Sequence, residues 1–155
     1  MPKIFLFIFY YALTITACSP LKNKRSPNMA QQSIEGFVYK IAGNHMPSPN
    51  SHASSPIDVL ITIYIYEATN IKDVTRKGTS PFYLTVNKKL ITTVQSDSTG
   101  YFAVELPAGR YSLFTKVDNL LYANSFDIEN NIALVQVEQG KITKTVIKID
   151  AGATY

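Results

Sequence analysis

Residues that could carry out chemistry are few in this chain. It contains one cysteine, Cys18, and two histidines, His45 and His52, both in a stretch without a strand-like pattern. Neither a His-Glu-x-x-His nor a His-x-x-Glu pair is present, so a peptidase-type zinc site has no ligands. A single cysteine also excludes an intramolecular disulfide. We therefore predict that the protein is not an enzyme and that it uses no metal or other cofactor.

Two short segments carry residue types that suit ligand binding. The first contains Asn44, His45 and Met46, and the second contains Tyr122 and Asn124. Tyr122 could stack on a ligand while the asparagines form hydrogen bonds with it, because binding groups tend to gather on loops carried by a rigid scaffold. In the alternative interpretation, Met46 and Tyr122 fill the core and the asparagines satisfy turns. The sequence leaves both interpretations open.

The first 17 residues have the features of a secretory signal. Lys3 precedes a short apolar run, residues 4–13, and small residues follow it. A spanning helix needs about 20 apolar residues, so this run is too short. Ile15-Thr16-Ala17-Cys18 resembles the lipobox of bacterial lipoproteins, which implies cleavage before Cys18 and acylation of its thiol with fatty acids such as palmitate. An ordinary leader with an unmodified thiol is the alternative.

Residues 18–32 are polar and are predicted to form a flexible tether. Of the 15 Lys and Arg residues in the chain, four precede residue 33, so the other 11 balance the 11 acidic residues, all of which follow it. Nucleic-acid binding is not expected, because no excess of basic residues remains to follow a phosphate backbone. Ser19 replaces the aspartate that retains some lipoproteins at the inner membrane, so the lipoprotein resemblance favours the outer membrane.

Residues 33–155 show the period-two alternation of β-strands and form one predicted domain. The strongest segment, Asp58 to Glu67, alternates isoleucine with Thr and Tyr and predicts a central strand of a sandwich. Short strands are separated by turn signals such as Asp97-Ser98-Thr99-Gly100. The pattern predicts an all-β, antiparallel β-sandwich of about seven to eight strands, interrupted by two long loops at 42–57 and 68–81.

The stretch from Gln95 to Leu113 resembles the centre of carboxypeptidase regulatory-like domains. That family has a prealbumin-like (transthyretin-like) sandwich, comparable in shape to an immunoglobulin domain. The shared pattern is an Asp-x-x-Gly turn that ends at Gly100, a strand that ends in Leu-Pro, and a Gly-x-Tyr sequence that includes Tyr111. We expect Gly100 to take a positive φ, and Tyr111 to bury its ring while its hydroxyl reaches the backbone at a corner. These are structural roles, so the resemblance implies a fold and hardly an activity.

Some transthyretin-like proteins hydrolyse 5-hydroxyisourate, but they carry a C-terminal Tyr-Arg-Gly-Ser that is not found here. We instead predict a non-enzymatic, lipid-anchored module of the cell envelope, attached through Cys18, that binds or supports a protein or glycan partner. The alternative is an accessory glycan- or nutrient-binding subunit of an outer-membrane uptake complex. Clustered exposed aromatic side chains would favour glycan contact, whereas an open sheet edge would favour a protein partner.

Overall fold

The computed structural model describes residues 32–44 and 55–154. The predicted signal peptide, 1–17, lies outside the described residues. So does the predicted tether, 18–32 with Cys18, apart from Gln32. In the described part of the chain, no helix is long and apolar enough to cross a membrane.

The described residues form an all-β sandwich of two sheets, which confirms the predicted fold class. The strands are β1 (Ser33–Asn44), β2 (Ile57–Asp58), β3 (Thr62–Glu67), β4 (Val74–Arg76), β5 (Phe82–Val86), β6 (Leu90–Gln95), β7 (Tyr101–Glu105), β8 (Gly109–Val117), β9 (Leu120–Tyr122), β10 (Leu134–Val137) and β11 (Ile142–Thr154). These eleven strands exceed the predicted seven to eight, because strands as short as β2 and β4 are too brief to give a clear alternation in sequence.

The two sheets differ in size and in strand direction. The small sheet has the order β11-β1-β2, and β7 also pairs with β1. The large sheet has the order β4-β5-β9-β8-β3-β6, and β10 also pairs with β8. All of these pairings are antiparallel except that of β1 with β11, which is parallel along nearly the whole length of both strands.

The main core lies between the sheets and follows the alternation of the strands. Ile34 and Val38 of β1 are fully buried and pack with inward side chains from the large sheet, including Ile63 and Ile65 of β3. Gly36 lies between the two β1 core residues, where a side-chain carbon would collide with the backbone of Thr145 on β11. A glycine here therefore lets β1 and β11 pair closely.

The segment from Asp58 to Glu67 is not one central strand, and that prediction is wrong. Only its first residue, Asp58, belongs to β2 in the small sheet. Residues 59–61 lie between strands, and Thr62–Glu67 forms β3 in the large sheet. Ser96 holds the crossing between them: its hydroxyl donates to the carbonyl of Val59 at 2.7 Å and accepts from the amide of Ile61 at 2.9 Å. The alternation of apolar residues therefore continues without a break from one sheet into the other, because the positions that face the core are apolar in both sheets.

A second cluster of apolar side chains covers the outer face of the large sheet. Tyr83 and Phe114 are fully buried there, with their rings edge to face at a centroid distance of 5.4 Å. Chain segments that follow β9 and precede β5 contribute Ile132, Ile71 and Val74 to this cluster. The predicted loop at 68–81 contains a single 3-10 turn, Ile71–Asp73, followed by β4.

The turn and corner predicted from the carboxypeptidase-like pattern are both present. Gly100 has a φ of +74°, and its carbonyl accepts a hydrogen bond from the amide of Val38 at 2.8 Å. The ring of Tyr111 is buried, and its hydroxyl donates to the carbonyl of Pro107 at 2.9 Å. Both predictions are confirmed, because these residues are determined by local backbone geometry.

Replacing Gly100 with alanine should destabilise the protein more than the same change at Gly78. Both glycines have a positive φ, which costs a residue with a side chain about 1–2 kcal/mol. At Gly100 the new carbon would also meet the carbonyl of Val38, whereas at Gly78 it meets no atom within 4 Å. Overpacking adds about 1–3 kcal/mol, so guanidinium unfolding should give a larger loss for Gly100→Ala. Equal losses would show that the turn does not need its close contact with β1.

Candidate functional site

The first predicted binding segment is described only in part. Asn44 is the last residue of β1, and its backbone pairs with Thr154 at the end of β11. His45 and Met46 lie outside the described residues. A binding role for these three residues therefore stays a prediction.

Tyr122 is buried and forms part of the main core. Its side chain has no exposed surface, and its ring packs against Phe82 at a centroid distance of 5.3 Å. The prediction that this ring could stack on a ligand is wrong, because neither face of the ring reaches solvent. The hydroxyl instead donates to Oδ1 of Asp150 at 2.5 Å and accepts from the Asp150 amide at 3.2 Å.

Asn124 is exposed and lies beside Tyr122 at the same carboxylate. Its amide nitrogen donates to Oδ1 of Asp150 at 2.6 Å, and Nζ of Lys148 lies 3.3 Å from Oδ2. Tyr122, Asn124, Lys148 and Asp150 form what we call the Asp150 cluster. The structure thus brings together the two predicted residues Tyr122 and Asn124, through an aspartate that the sequence did not single out.

Hydrogen bonds keep the Asp150 carboxyl ionised. Partial burial alone would raise the pKa of Asp150, but hydrogen bonds from Tyr122, Lys148 and Asn124 outweigh that effect and lower it below its usual value. For Tyr122, burial is the largest cause of a strongly raised pKa, and its hydrogen bond to Asp150 adds to it. The cluster is therefore an ionised carboxylate held by three donors.

A cleft of about 130 Å³ opens beside the Asp150 cluster, between β10 of the large sheet and β11 of the small sheet. We call it the lateral cleft. Its walls include Leu134 and Val135 on one side and residues 145–148 on the other, and Asn124 lies at its rim. A dry cavity of about 150 Å³ can hold a benzene molecule, so this cleft has room for one ring-sized group.

The outer face of the small sheet carries a row of aromatic side chains. Phe37 of β1 is 50% exposed, and it lies beside Tyr101 of β7 on one side and Val146 of β11 on the other. The rings of Phe37 and Tyr101 are 5.5 Å apart between centroids. Tyr39 follows Phe37 on the same face of β1, and both Tyr39 and Tyr101 are partly exposed. We call Phe37, Tyr39, Tyr101 and Val146 the aromatic face.

Charged side chains border the aromatic face with both signs. Lys144 of β11 lies across from Glu35 of β1, while Tyr39 lies between Lys148 on one side and Asp58 on the other. This arrangement gives no strong field of one sign. The aromatic face therefore offers apolar contact more than charge.

Sequence reasoning missed the aromatic face, although a signal for it was present. The first strand alternates Ile34 and Val38 with Phe37 and Tyr39, so both of its faces are apolar or aromatic. In an antiparallel sandwich the solvent side of a strand is normally polar. The aromatic solvent side of β1 is therefore an exception to this pattern.

No group of three or more His, Cys, Asp or Glu side chains that could hold a metal ion occurs among residues 32–44 and 55–154. In both Asp97 and Asp127, the side-chain oxygen Oδ1 accepts hydrogen bonds from residues of the same turn. Oδ1 of Asp97 accepts from the amide and hydroxyl of Thr99, and Oδ1 of Asp127 accepts from the amide of Asn131 at 2.8 Å. These carboxylates therefore serve as local turn acceptors.

Comparisons with known proteins give little further information. No protein-family model matches the chain, and no curated protein matches it significantly. One similar solved structure is that of a proposed carbohydrate-binding protein from Pseudomonas aeruginosa. It has 14% sequence identity and a TM-score of 0.45, and the match covers 79% of this chain and 92% of the other. A likeness at this level carries no argument about function.

Replacing Asp150 with asparagine should make the free energy of unfolding depend less on pH in the acidic range. The pKa of Asp150 is lowered in the folded state, so its contribution is present above the unfolded value of 3.8 and is lost as pH falls through the folded value. Wild-type protein should therefore lose more stability than Asp150→Asn as pH falls below about 5, by at most about 1.4 kcal/mol per pH unit.

Urea unfolding measured at intervals from pH 6 to pH 2.5 tests this expectation. Asp118→Asn, in the exposed turn between β8 and β9, controls for the change in net charge. If wild type and Asp150→Asn lose stability in parallel as the pH falls, the hydrogen bonds of the Asp150 cluster do not stabilise the carboxylate.

Proposed function

We propose that the chain is a non-enzymatic, lipid-anchored module of the bacterial cell envelope whose aromatic face contacts carbohydrate. The observation that carries this proposal is the difference between the two outer faces of the sandwich. The large sheet has its outer face covered by the chain's own segments, whereas Phe37 and Val146 on the small sheet are 50% and 61% exposed. Clustered, partly exposed aromatic groups on one face of a sheet favour a binding surface.

The geometry of the aromatic face suits a sugar chain. Aromatic rings are apolar on their faces, and Tyr adds a hydroxyl that can hydrogen-bond at the edge of the contact. Sugar rings present C–H groups on their faces and hydroxyls at their rims, so the two surfaces are complementary. Phe37 and Tyr39 are two residues apart on one strand, which places them about 6.6 Å apart along it. The mixed charges around them favour a neutral glycan.

A short segment separates the proposed anchor from β1. Fifteen residues, 18–32, separate the lipobox cysteine from the start of β1 at Ser33, and a fully extended chain of this length spans at most about 50 Å. The aromatic face would lie on the part of the sandwich nearest in sequence to this tether. Such a module could serve as an accessory subunit that collects glycan for an outer-membrane uptake complex.

Cys18→Ser should release the protein from the membrane if Cys18 is the acylated residue. An acyl chain contributes about 0.8 kcal/mol for each buried methylene group, so two chains give a stable attachment and their loss abolishes it. Fractionation of cells that express each form, with metabolic labelling by a palmitate analogue, measures this directly. Cys18→Ser protein that remains with the membrane and still incorporates label would contradict the anchor assignment.

Removing two neighbouring rings of the aromatic face, those of Phe37 and Tyr101, should weaken carbohydrate binding. Each aromatic contact is worth about 0.5–1.5 kcal/mol, so Phe37→Ala/Tyr101→Ala is expected to raise the Kd by roughly fivefold to 150-fold. The measurement is isothermal titration of the full chain in detergent micelles with cellohexaose, maltohexaose and chitohexaose as neutral probes.

Phe126→Ala is the matched control for this experiment. Phe126 is 45% exposed, and an arginine, Arg76, lies over its ring at 5.8 Å, so it resembles Phe37 in exposure but lies outside the aromatic face. Its replacement should leave the affinity unchanged. Absence of binding by wild type to all three probes, or equal loss in both variants, would contradict the assignment of the aromatic face to carbohydrate.

A further inference from the structure

Apolar side chains from both sheets form much of the lateral cleft. Leu113 of β8 is buried in the main core, while Val135 of β10 and Ile147 of β11 pack against that core from opposite sides of the cleft. Ala123 and Ala133 also line it, and their short side chains leave room between the sheets. A ligand with an apolar face would therefore lie against the core of the protein.

Polar groups in the same lining have hydrogen-bonding capacity to spare. The side-chain nitrogen of Asn124 donates to Asp150, but within the described part of the chain no group donates to its side-chain oxygen. The hydroxyls of Ser125 and Thr145 likewise form no hydrogen bond with a described residue. An amide oxygen accepts hydrogen bonds and a hydroxyl both donates and accepts them, so these groups suit a ligand that carries hydroxyls.

Thr145 is the polar residue whose direction is clearest. It lies two positions before Ile147 and four before Ile149 on β11, and alternate residues of a strand share a face. Because Ile149 belongs to the main core, the partly exposed side chain of Thr145 is directed between the two sheets. The preceding residue on this face, Thr143, donates its hydroxyl to the carbonyl of Gln136. The hydroxyl of Thr145 is left for a ligand in the cleft.

The cleft offers a ligand no unbalanced charge. Lys148 is the one charged residue among the described residues that line it, and its Nζ lies 3.3 Å from Oδ2 of Asp150. Oδ1 of the same carboxylate accepts hydrogen bonds from Tyr122 and Asn124. A charged ligand would lose hydration here without gaining a free counter-charge, so a neutral ligand is favoured.

We propose that the lateral cleft binds one neutral six-membered ring that carries hydroxyl groups, such as a sugar residue or a cyclitol. The volume of about 130 Å³ admits a single ring. The C–H groups of the ring would contact Val135 and Ile147, and its hydroxyls would form hydrogen bonds with Asn124 and Thr145. An apolar wall with a few convergent polar groups is the usual composition of a small-molecule site.

The cleft adjoins the aromatic face at Val146. This residue lines the cleft and lies beside Phe37, with Tyr101 on the far side of Phe37. A sugar chain that crosses the aromatic face from β7 to β11 would therefore reach the cleft with its end residue. This extension rests on the proposed carbohydrate contact, whereas binding of a single ring in the cleft does not.

Methyl NMR spectroscopy tests the cleft directly, because Leu, Val, Ile and Thr methyl groups line it. The full chain is used in micelles of a detergent without a sugar headgroup. The neutral probes are methyl β-glucoside, methyl β-galactoside and myo-inositol, and glucuronate is a charged ring of similar size. A neutral probe should shift the methyl signals of Leu134, Val135 and Ile147 and leave those of Leu84 and Leu90, which are exposed elsewhere, unchanged. Glucuronate should bind at least about tenfold more weakly.

Thr145→Val removes the cleft hydroxyl and keeps the branched shape of the side chain. Loss of one hydrogen bond should raise the Kd of the bound neutral probe roughly threefold to tenfold. Thr93→Val makes the same change at an exposed position of β6 and should leave the Kd unchanged. The proposal is overturned if no neutral probe shifts the cleft methyl signals, if glucuronate binds equally well, or if folded Thr145→Val binds as wild type does.

Comparison of a single ring with the hexasaccharides distinguishes a free ligand from the end of a sugar chain. If a chain end enters the cleft, wild type should bind one hexasaccharide at least about fivefold more tightly than the single ring, and Phe37→Ala/Tyr101→Ala should remove this difference. Equal affinities would assign the cleft to a free ring and contradict the extension onto the aromatic face. Hexasaccharide binding without shifts of the cleft methyl signals would overturn the cleft site and leave the proposed carbohydrate contact standing.

Discussion

The parallel pairing of β1 with β11 is the constraint on which the other features of this sandwich depend. It runs from Ser33 to Asn44, and it requires Gly36, since a side chain there would collide with the backbone of β11. The pairing points Ile34 and Val38 into the main core and leaves Phe37 on the outer face beside Val146. It also makes β11 an edge strand, because the other sides of the small sheet are occupied by β2 and β7. The core, the aromatic face and the edge position of β11 all follow from this one register.

The outer faces of the two sheets differ in how far other parts of the chain cover them. On the large sheet, aromatic side chains such as Tyr83 and Phe114 are buried in a second cluster, because segments after β9 and before β5 fold over them. On the small sheet, aromatic side chains of similar size remain partly exposed. Exposed aromatic groups are costly to hydrate, and here Phe37, Tyr39 and Tyr101 lie on the same face of the small sheet.

The Asp150 cluster joins the two sheets at one end of the lateral cleft. Tyr122 contributes its ring to the main core and its hydroxyl to the carboxylate, so apolar burial and a charged hydrogen bond act through one side chain. Hydrogen bonds to an ionised group are stronger than those between neutral groups, so the contact stabilises the edge at a specific position. The lateral cleft lies between this cluster and the Thr143 contact to β10.

The sequence alone determined the all-β class, the turn at Gly100 and the corner at Tyr111, because these depend on period-two alternation and on local backbone geometry. It also supplied the lipobox resemblance at Cys18, which concerns residues outside the described structure. Tertiary structure decided which apolar positions face the core, since Phe37 and Ile34 have similar hydrophobicity and differ only in the side of β1 on which they lie. It likewise decided that Tyr122 is buried against Asp150, 28 residues away in sequence. Contacts across that separation depend on strand order and register, which local patterns of one sequence do not encode.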